Sequence, residues 1–313
     1  MLNFLLKRIA SGAVLLMVLA IAAYFLLRMG TADIAQQIAG QTAGPEQVAI
    51  VEERFGLDRP LVEQFAAWAA ALVTGDMGRS WFTGQPVGAT VFDRTSVTVI
   101  LAIGSVLLTG IFGVVLGVVA ATRRGALDRV VQILAVLGQA IPGFLIAVGL
   151  VLLFAVQLDW FPATGYTPFT DSPGGWLQSV TLPILALAIG SVGGVAQQVR
   201  GSVLDVLGRD HVRTLRSRGL PEKRVVYRYV LRNAGGPALS VLGLQFVIIL
   251  SAAVVVEQIF SIPGLGPITL TSTTQGDVPL MMGIVLVMGA MVIVVNLIVD
   301  LLQGVINPKV RLS

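Results

Sequence analysis

The charged residues of this sequence are most concentrated in one segment, residues 200–233. The segment holds nine of the 21 Lys and Arg residues of the 313-residue chain, with only three acidic residues among them, Asp205, Asp210 and Glu222. Guanidinium and ammonium groups at this density bind anions, either carboxylates of a protein partner or anionic lipid headgroups. They do not by themselves make or break covalent bonds. The segment therefore predicts a binding surface.

Motifs that would give the chain its own catalytic activity are missing from the sequence. Its only lysines are Lys7, Lys223 and Lys309, and none follows a glycine, so the chain cannot form a phosphate-binding P-loop. It has no cysteine, one histidine (His211) and neither a Gly-x-Ser-x-Gly nor a His-Glu-x-x-His motif. We therefore expect no enzyme activity, no cofactor and no metal site, and any energy source must be another protein.

Membrane-spanning sequence flanks the basic segment on both sides. The chain is 55% hydrophobic and 12% charged, with a mean hydropathy of +0.87, far from the composition of soluble proteins. A helix needs about 20 mostly apolar residues to cross a bilayer core. The uncharged segments of suitable length are residues 9–27, 95–122, 130–158, 172–199, 233–256 and 278–299. The sequence thus predicts an all-α membrane protein with six transmembrane helices.

Two uncharged segments need separate interpretation. Residues 9–27 follow a basic pair and contain Ala20-Ile21-Ala22, so a cleaved signal peptide is the alternative to a first span. The apolar run continues past that site and favours the span. A seventh uncharged segment, residues 258–276, is rich in Gly, Pro, Thr and Ser, and this composition predicts a loop.

The distribution of basic residues predicts the orientation and the organisation of the chain. With both termini in the cytoplasm, sixteen of the 21 Lys and Arg residues lie inside and five outside. The predicted parts are an N-terminal transmembrane helix (1–28), an extracytoplasmic helical insert (29–94) and a five-helix core (95–313). Residues 200–233 then form a cytoplasmic loop of that core.

The predicted insert is long enough to hold helices of its own. Pro45 near a helix start and Gly56 after its end bracket one helix. A second helix is expected between Asp58, as its N-cap, and Gly75. Four apolar residues lie on one face of this second helix, and we expect them to pack within the insert. They are Leu61, Phe65, Trp68 and Leu72.

Four polar or helix-bending residues inside or at the ends of the spans are candidates for a pathway or gate: Gln139, Pro142, Gln245 and Glu257. Pro142 must kink or interrupt its helix, and such a kink serves either as a moving gate or as a static feature of a helix bundle. Glu257 has an interfacial or helix-pairing role as its alternative. The spans are otherwise almost free of ionisable groups, which argues against an ion-coupled carrier.

Residues 200–233 predict two helices that meet at a glycine. The first covers residues 210–218 and stops at Gly219, and the second starts at Pro221 and Glu222 and runs to Arg232. A loop lying on anionic lipid explains the charge but not this layout. A helix–Gly–helix corner is suited to insertion into a groove of a soluble partner.

This corner resembles the cytoplasmic coupling loop, the EAA loop, of binding-protein-dependent ABC importer permeases. The general Glu-Ala-Ala pattern of the family matches this sequence mainly at Gly219. The loop of the peptide and nickel branch is much more similar to it. In that branch the loop resembles Asp-Tyr-Val-Arg-Thr-Ala-Arg-Ala-Lys-Gly-Leu and ends in Leu-Arg-Asn. The matching residues are Asp210, Val212, Arg213, Thr214, Arg216, Gly219, Leu220, Leu231, Arg232 and Asn233. The departures are His211, Leu215, Ser217 and Arg218, which are conservative in size or charge.

Further segments resemble the same branch. They are Gly56-Leu-Asp-x-Pro60, Gly75-Asp-Met-Gly-Arg-Ser80, Trp160-Phe-Pro-x-x-Gly165 and residues 256–266. The large insert after the first span is typical of the B-type permease of dipeptide and oligopeptide importers. Pro267 departs from the family, which commonly has a basic residue there.

The resemblance implies a type I ABC importer fold in a bacterial inner membrane and a subunit that forms half of a translocation pathway for di- or oligopeptides. It implies three kinds of protein partner besides the lipid bilayer: a homologous C-type permease, two cytoplasmic ATP-binding subunits and an extracytoplasmic substrate-binding protein, but no nucleic acid. Nickel, glutathione and haem are alternative cargoes. A stand-alone secondary carrier and a membrane scaffold are alternative functions. The implied ATPase-coupling residues are Asp210, Val212, Arg213, Thr214, Leu215, Arg216, Gly219 and Leu220.

Overall fold

The computed structural model describes residues 2–30, 34–123 and 125–306, and within them the chain forms helices and no β-strand. Two of the helices continue directly into π-helical segments, which cover Val151–Gln157 and Val225–Val230. In chain order the helices are α1 (Leu2–Met29), α2 (Ile34–Ala39), α3 (Pro45–Phe55), α4 (Leu61–Val73), α5 (Val87–Thr122), α6 (Ala126–Ala140), α7 (Gly143–Leu150), α8 (Pro173–Leu207), α9 (Asp210–Ser217), α10 (Glu222–Arg224), α11 (Leu231–Ile259), α12 (Leu265–Gln275) and α13 (Val278–Ile306).

The predicted all-α fold with six transmembrane helices is confirmed. Among the described residues, α1, α5, α8, α11 and α13 are long and apolar enough to span a membrane. The sixth span is a broken one, in which α6 and the α7 segment meet at an angle of 97°. Pro142 explains the break, because it has no N–H to continue the helix and holds Ile141 in an extended conformation (ψ 121°).

Two sequence predictions about helix positions are wrong. Residues 258–276 were expected to form a loop, but α12 occupies most of them, from Leu265 to Gln275. Hydroxyl groups that favour loops are satisfied inside this helix, since Thr269 and Thr273 each donate to the carbonyl four residues earlier. Asp58 was expected to cap α4, but the residue before that helix is Pro60, whose carbonyl accepts the first helical hydrogen bonds. Gly56 does end α3 in the left-handed conformation, as predicted (φ 63°).

The chain folds as two compact units. The first comprises described residues 2–5, 98–262 and 292–306, and the second comprises residues 6–97 and 263–291. In the first unit, α8 forms the centre and packs along α6, α7 and α11. Gly193 makes the α6–α8 approach possible, because a methyl group there would lie 2.5 Å from the carbonyl oxygen of Ala135 on α6.

The second unit joins α2, α3 and α4 to most of α1 and to the first half of α13. Phe65, Trp68 and Leu72 of α4 pack against a buried cluster that includes Tyr24 of α1 and Met282 of α13. These three members of the predicted apolar stripe therefore pack on two long apolar helices, and the expectation that they pack within the insert is wrong. Leu61, the fourth member, stays exposed.

The residue before α13, Asp277, fastens the loop that follows α4. Asp277 is buried and accepts hydrogen bonds from the Ser80 hydroxyl and from the backbone N–H groups of Trp81 and Leu280. A charge-assisted hydrogen bond of this kind is about twice as strong as a neutral one. The contact therefore fixes Trp81 beside the start of α13.

Candidate functional site

The predicted helix–Gly–helix corner is present, and local hydrogen bonds define it. After α9 the chain turns at Gly219, which has a φ of 75°, a conformation that favours glycine. The Gly219 N–H donates to the Arg216 carbonyl (2.9 Å) and the Leu220 N–H to the Leu215 carbonyl (3.3 Å). These two bonds are the Schellman arrangement that ends a helix. The second helix then begins at Glu222, but it does not stop at Arg232; α10 continues without a break into α11.

The apolar side of the corner is directed into its own unit. Val212 is fully buried, and Leu215 and Leu220 are half-buried. They pack on a core formed by α8, the segment after α10 and the start of α11. The residues of that core include Val199, Val203, Val206, Val225, Val226, Val230 and Ala234. Val212 and Leu215 therefore attach α9 to the membrane-spanning helices instead of presenting an apolar surface to a partner.

The outward side of the corner is polar and carries net positive charge. Asp210, Arg213 and Thr214 are exposed, and the Arg213–Asp210 pair (3.6 Å) has side chains that are 76% and 96% accessible, so it contributes little to stability. Arg213 is thus free to meet an anionic partner. Thr214 donates its hydroxyl to the Asp210 carbonyl (3.1 Å), within α9.

Arg216 bridges the two helices of the corner. Its guanidinium forms two parallel hydrogen bonds with the Glu222 carboxylate, 2.5 Å and 3.0 Å long. These bonds raise the pKa of the Arg216 guanidinium above its ordinary value. The pair links α9 to α10, but both side chains are exposed, so it contributes little to stability.

An ion pair between α6 and α8 was not predicted from the sequence. Arg200 near the end of α8 donates to both oxygens of Asp128 in the first turn of α6 (2.6 Å and 2.7 Å), and Gln132 also donates to Asp128 (2.9 Å). The two charged side chains are only 26% and 15% accessible. The partners are 72 residues apart in sequence, so their pairing is evident only in the three-dimensional structure. The sequence offers one signal for it: Asp128 is an acidic residue among basic residues that are predicted to be cytoplasmic.

Two of the four pathway candidates lie close to each other on the first unit. Gln245 on α11 is buried and donates to the Ser191 carbonyl of α8 (3.2 Å), while its Oε1 accepts no hydrogen bond from the described residues. Gly194 lies between the two glutamines, because a methyl group there would be 2.9 Å from Gln245 Nε2 and 3.8 Å from Gln139 Oε1. The cluster combines amide donors and an unused acceptor inside otherwise apolar spans.

The other two candidates lie elsewhere. Pro142 is exposed at the break between α6 and α7. Glu257, near the end of α11, is fully buried, and its Oε1 accepts a 2.6 Å hydrogen bond from the hydroxyl of Thr98 on α5, itself buried. The structure therefore does not bring Glu257 to the glutamine cluster, and it gives this carboxylate a helix-pairing contact.

The Thr98–Glu257 contact leads to a stability prediction. Thr98→Val removes a hydroxyl donor from a buried carboxylate, which costs about 1–3 kcal/mol. Thr98→Ser keeps the hydroxyl and is the matched control. We expect thermal unfolding of the purified chain in detergent to begin at a clearly lower temperature for Thr98→Val than for Thr98→Ser. Equal unfolding temperatures for the two variants would show that this hydrogen bond does not stabilise the α5–α11 packing.

Comparison with known families identifies the class of protein that this fold and corner define. The family described as "Binding-protein-dependent transport system inner membrane component" matches residues 113–312, and the N-terminal family of the same transport components matches residues 1–102. The chain belongs to this family: it is a multi-pass inner membrane permease subunit of an ABC importer. The predicted family is confirmed.

Individual relatives cover nearly the whole chain. A protein of Brucella abortus (strain 2308), whose name describes a peptide transport system permease protein, is 38% identical over 308 residues and covers 98% of each chain. The glutathione transport system permease protein GsiC of Salmonella choleraesuis (strain SC-B67) is 36% identical over 312 residues, 99% of each chain.

Solved structures share the fold at low sequence identity. A chain of the inward-facing MetNI methionine ABC transporter superposes with a TM-score of 0.55 at 16% identity, over 69% of this chain and 97% of that one. A chain of an amino acid ABC transporter superposes with a TM-score of 0.52, also at 16% identity, over 69% and 93%. At 16% identity, the similarity to these two structures shows a shared fold over 69% of this chain.

Proposed function

We propose that this permease carries short peptides. The observation that carries the proposal is the near full-length similarity to a peptide transport permease, at 38% identity. The Gln139–Gln245 cluster supports it, since side-chain amides offer the donor and acceptor pairs that peptide groups require. Glutathione is itself a tripeptide, so the 36% identity to a glutathione permease is compatible with the same kind of cargo.

The proposed assembly follows from the family and from the charge distribution. The chain, as the B-type subunit, forms half of the pathway with a C-type permease. Two cytoplasmic ATPases supply the energy, and an extracytoplasmic binding protein delivers the cargo. Both termini and residues 200–233 face the cytoplasm, because sixteen of 21 basic residues then lie inside. Residues 29–94 form the extracytoplasmic insert of the three-part organisation (1–28, 29–94, 95–313).

The proposed coupling route starts at the outward side of α9. An ATPase that binds Arg213 and the Gly219 turn moves α9, and Val212 transmits this movement to the core between α8 and α11. The Asp128–Arg200 pair extends the route to α6 and so to the break at Pro142. For ATP to drive the change, the closed ATPases must bind one state of the permease more tightly than the other.

A substitution that reverses the charge of residue 213 tests the proposed coupling route. Arg213→Glu places a carboxylate on the outward side of α9 and disturbs no buried contact. We expect at least tenfold less ATP-dependent uptake of labelled trialanine by proteoliposomes that contain the assembled importer, and loss of ATPase co-purification. Arg123→Glu, an exposed change at the end of α5, is the control and should leave both measurements within about twofold of the wild type.

The outcomes separate the parts of the proposal. Normal ATPase binding and uptake by Arg213→Glu would contradict the coupling assignment but not the cargo. Absence of trialanine uptake by the wild-type importer, with uptake of glutathione, a nickel chelate or haem instead, would contradict the peptide assignment. Uptake by this chain alone, without ATP, would identify a secondary carrier.

A further inference from the structure

The second unit contains a pocket that has no role in coupling or in the proposed pathway. Its volume is about 210 Å³. Tyr24 near the end of α1, Trp68 of α4 and Trp81 of the following loop form aromatic walls, and Val278 and Met282 of α13, both buried, form an apolar floor. Tyr24 and Trp68 are in ring contact, with centroids 5.9 Å apart.

Two opposite charges lie at the edge of this pocket. Arg59 and Glu63 both line it and are exposed, and neither forms an ion pair within the described residues. The backbone of Arg59 is held in place, because Gln64 donates its side-chain amide to the Arg59 carbonyl (2.8 Å). A cation and a nearby anion, neither in an ion pair within the described residues, are complementary to a ligand that carries one anion and one cation.

The position of the pocket in the chain indicates its surroundings. Tyr24 lies five residues before the end of α1 at Met29, and Val278 is the first residue of α13. Both helices are membrane spans, so the pocket is at the level where hydrocarbon gives way to headgroups. Trp and Tyr are enriched at this level because their rings are partly apolar and partly polar.

The geometry points to a zwitterionic ligand in this pocket, the phosphoethanolamine headgroup of a membrane phospholipid. Its phosphate binds Arg59, and its ammonium group binds Glu63. The glycerol end of the lipid then lies at the headgroup level, above the buried floor formed by Val278 and Met282. A short peptide carries the same pair of charges, so the measurement must distinguish a lipid from a free zwitterion.

Native mass spectrometry of the full-length chain in detergent tests the assignment. The probes are dioleoylphosphatidylethanolamine, dioleoylphosphatidylglycerol, which has the phosphate but no ammonium group, and trialanine. We expect the ethanolamine lipid to bind at least tenfold more tightly than the glycerol lipid. In the variant Arg59→Gln with Glu63→Gln, we expect this preference to be lost.

Glu46→Gln with Arg94→Gln is the matched control, since it removes the same two charges from the second unit outside the pocket. Its affinity for the ethanolamine lipid should stay within about twofold of the wild type. Equal binding of the two lipids by the wild type, or unchanged binding by the pocket variant, overturns the proposal. Displacement of the lipid by micromolar trialanine overturns the lipid source and identifies a free zwitterion as the ligand.

Discussion

Gly193→Ala is expected to destabilise this permease strongly, because it forces apart two closely packed helices. The added methyl group would lie 2.5 Å from the carbonyl oxygen and 2.8 Å from the Cα of Ala135. These are backbone atoms, so a change of side-chain rotamer cannot relieve the clash. Helices α6 and α8 must move apart, and overpacking of this kind costs about 1–3 kcal/mol or more. We therefore expect thermal unfolding of the purified chain in detergent to shift down by roughly 5 °C or more.

Gly190→Ala is the control for this measurement. Gly190 lies three residues earlier on the same helix, but there the nearest atom to an added methyl group is the flexible end of Ile146, at 3.9 Å. Alanine should be tolerated at residue 190, where it also gains about 0.5–1 kcal/mol of helix propensity. If both variants unfold at the wild-type temperature, the close α6–α8 approach does not determine the stability of the first unit.

Breaking the Asp128–Arg200 pair is the second change with a large expected effect. Asp128→Asn keeps the shape of the side chain but leaves the guanidinium of Arg200 without a carboxylate. Loss of one partner of a fully buried pair costs about 3–5 kcal/mol, and the 26% accessibility of Arg200 reduces this to about 2 kcal/mol. Because the pair joins α6 to α8, we also expect ATP hydrolysis by the assembled importer to continue while peptide uptake falls.

A double-mutant cycle measures this interaction. Asp128→Asn combined with Arg200→Gln should be less destabilising than the sum of the two single changes, by about 1 kcal/mol or more. Arg129→Gln, which removes an exposed cation from the next position of α6, serves as the control and should have little effect. Strict additivity of the two single changes would mean that the charges do not interact in the folded protein.

Local features of the fold were predictable because they depend on neighbouring residues. Pro45 and Gly56 bracket α3, because proline restricts φ to a helical value and glycine permits the positive φ that ends a helix. Gly219 ends α9 for the same reason as Gly56. An apolar face on α9 could also be recognised, because Val212 and Leu215 are three residues apart and therefore share one helix face. What was not evident is that this face packs inward, since burial depends on the valines of α8 and the segment after α10.

Features that join distant parts of the chain could not be predicted. No local property of Asp128 identifies Arg200 as its partner, and Glu257 is paired with a threonine 159 residues away. The prediction of a loop at residues 258–276 was wrong for another reason. Thr and Ser hydroxyls favour loops when they compete for backbone hydrogen bonds, but in α12 Thr269 and Thr273 donate to carbonyls one helical turn earlier. Composition alone does not distinguish these cases.

The break at Pro142 leaves helix-end backbone groups inside a predicted membrane span. Proline cannot donate to the carbonyl of Gly138, and the first N–H groups of α7 have no earlier helical turn to bond to. Such groups are not tolerated against lipid tails, where each unsatisfied one costs several kcal/mol. Residues 139–143 are exposed on this chain, so this surface must be covered by another subunit or hydrated. In either case, the break at Pro142 does not face the lipid tails.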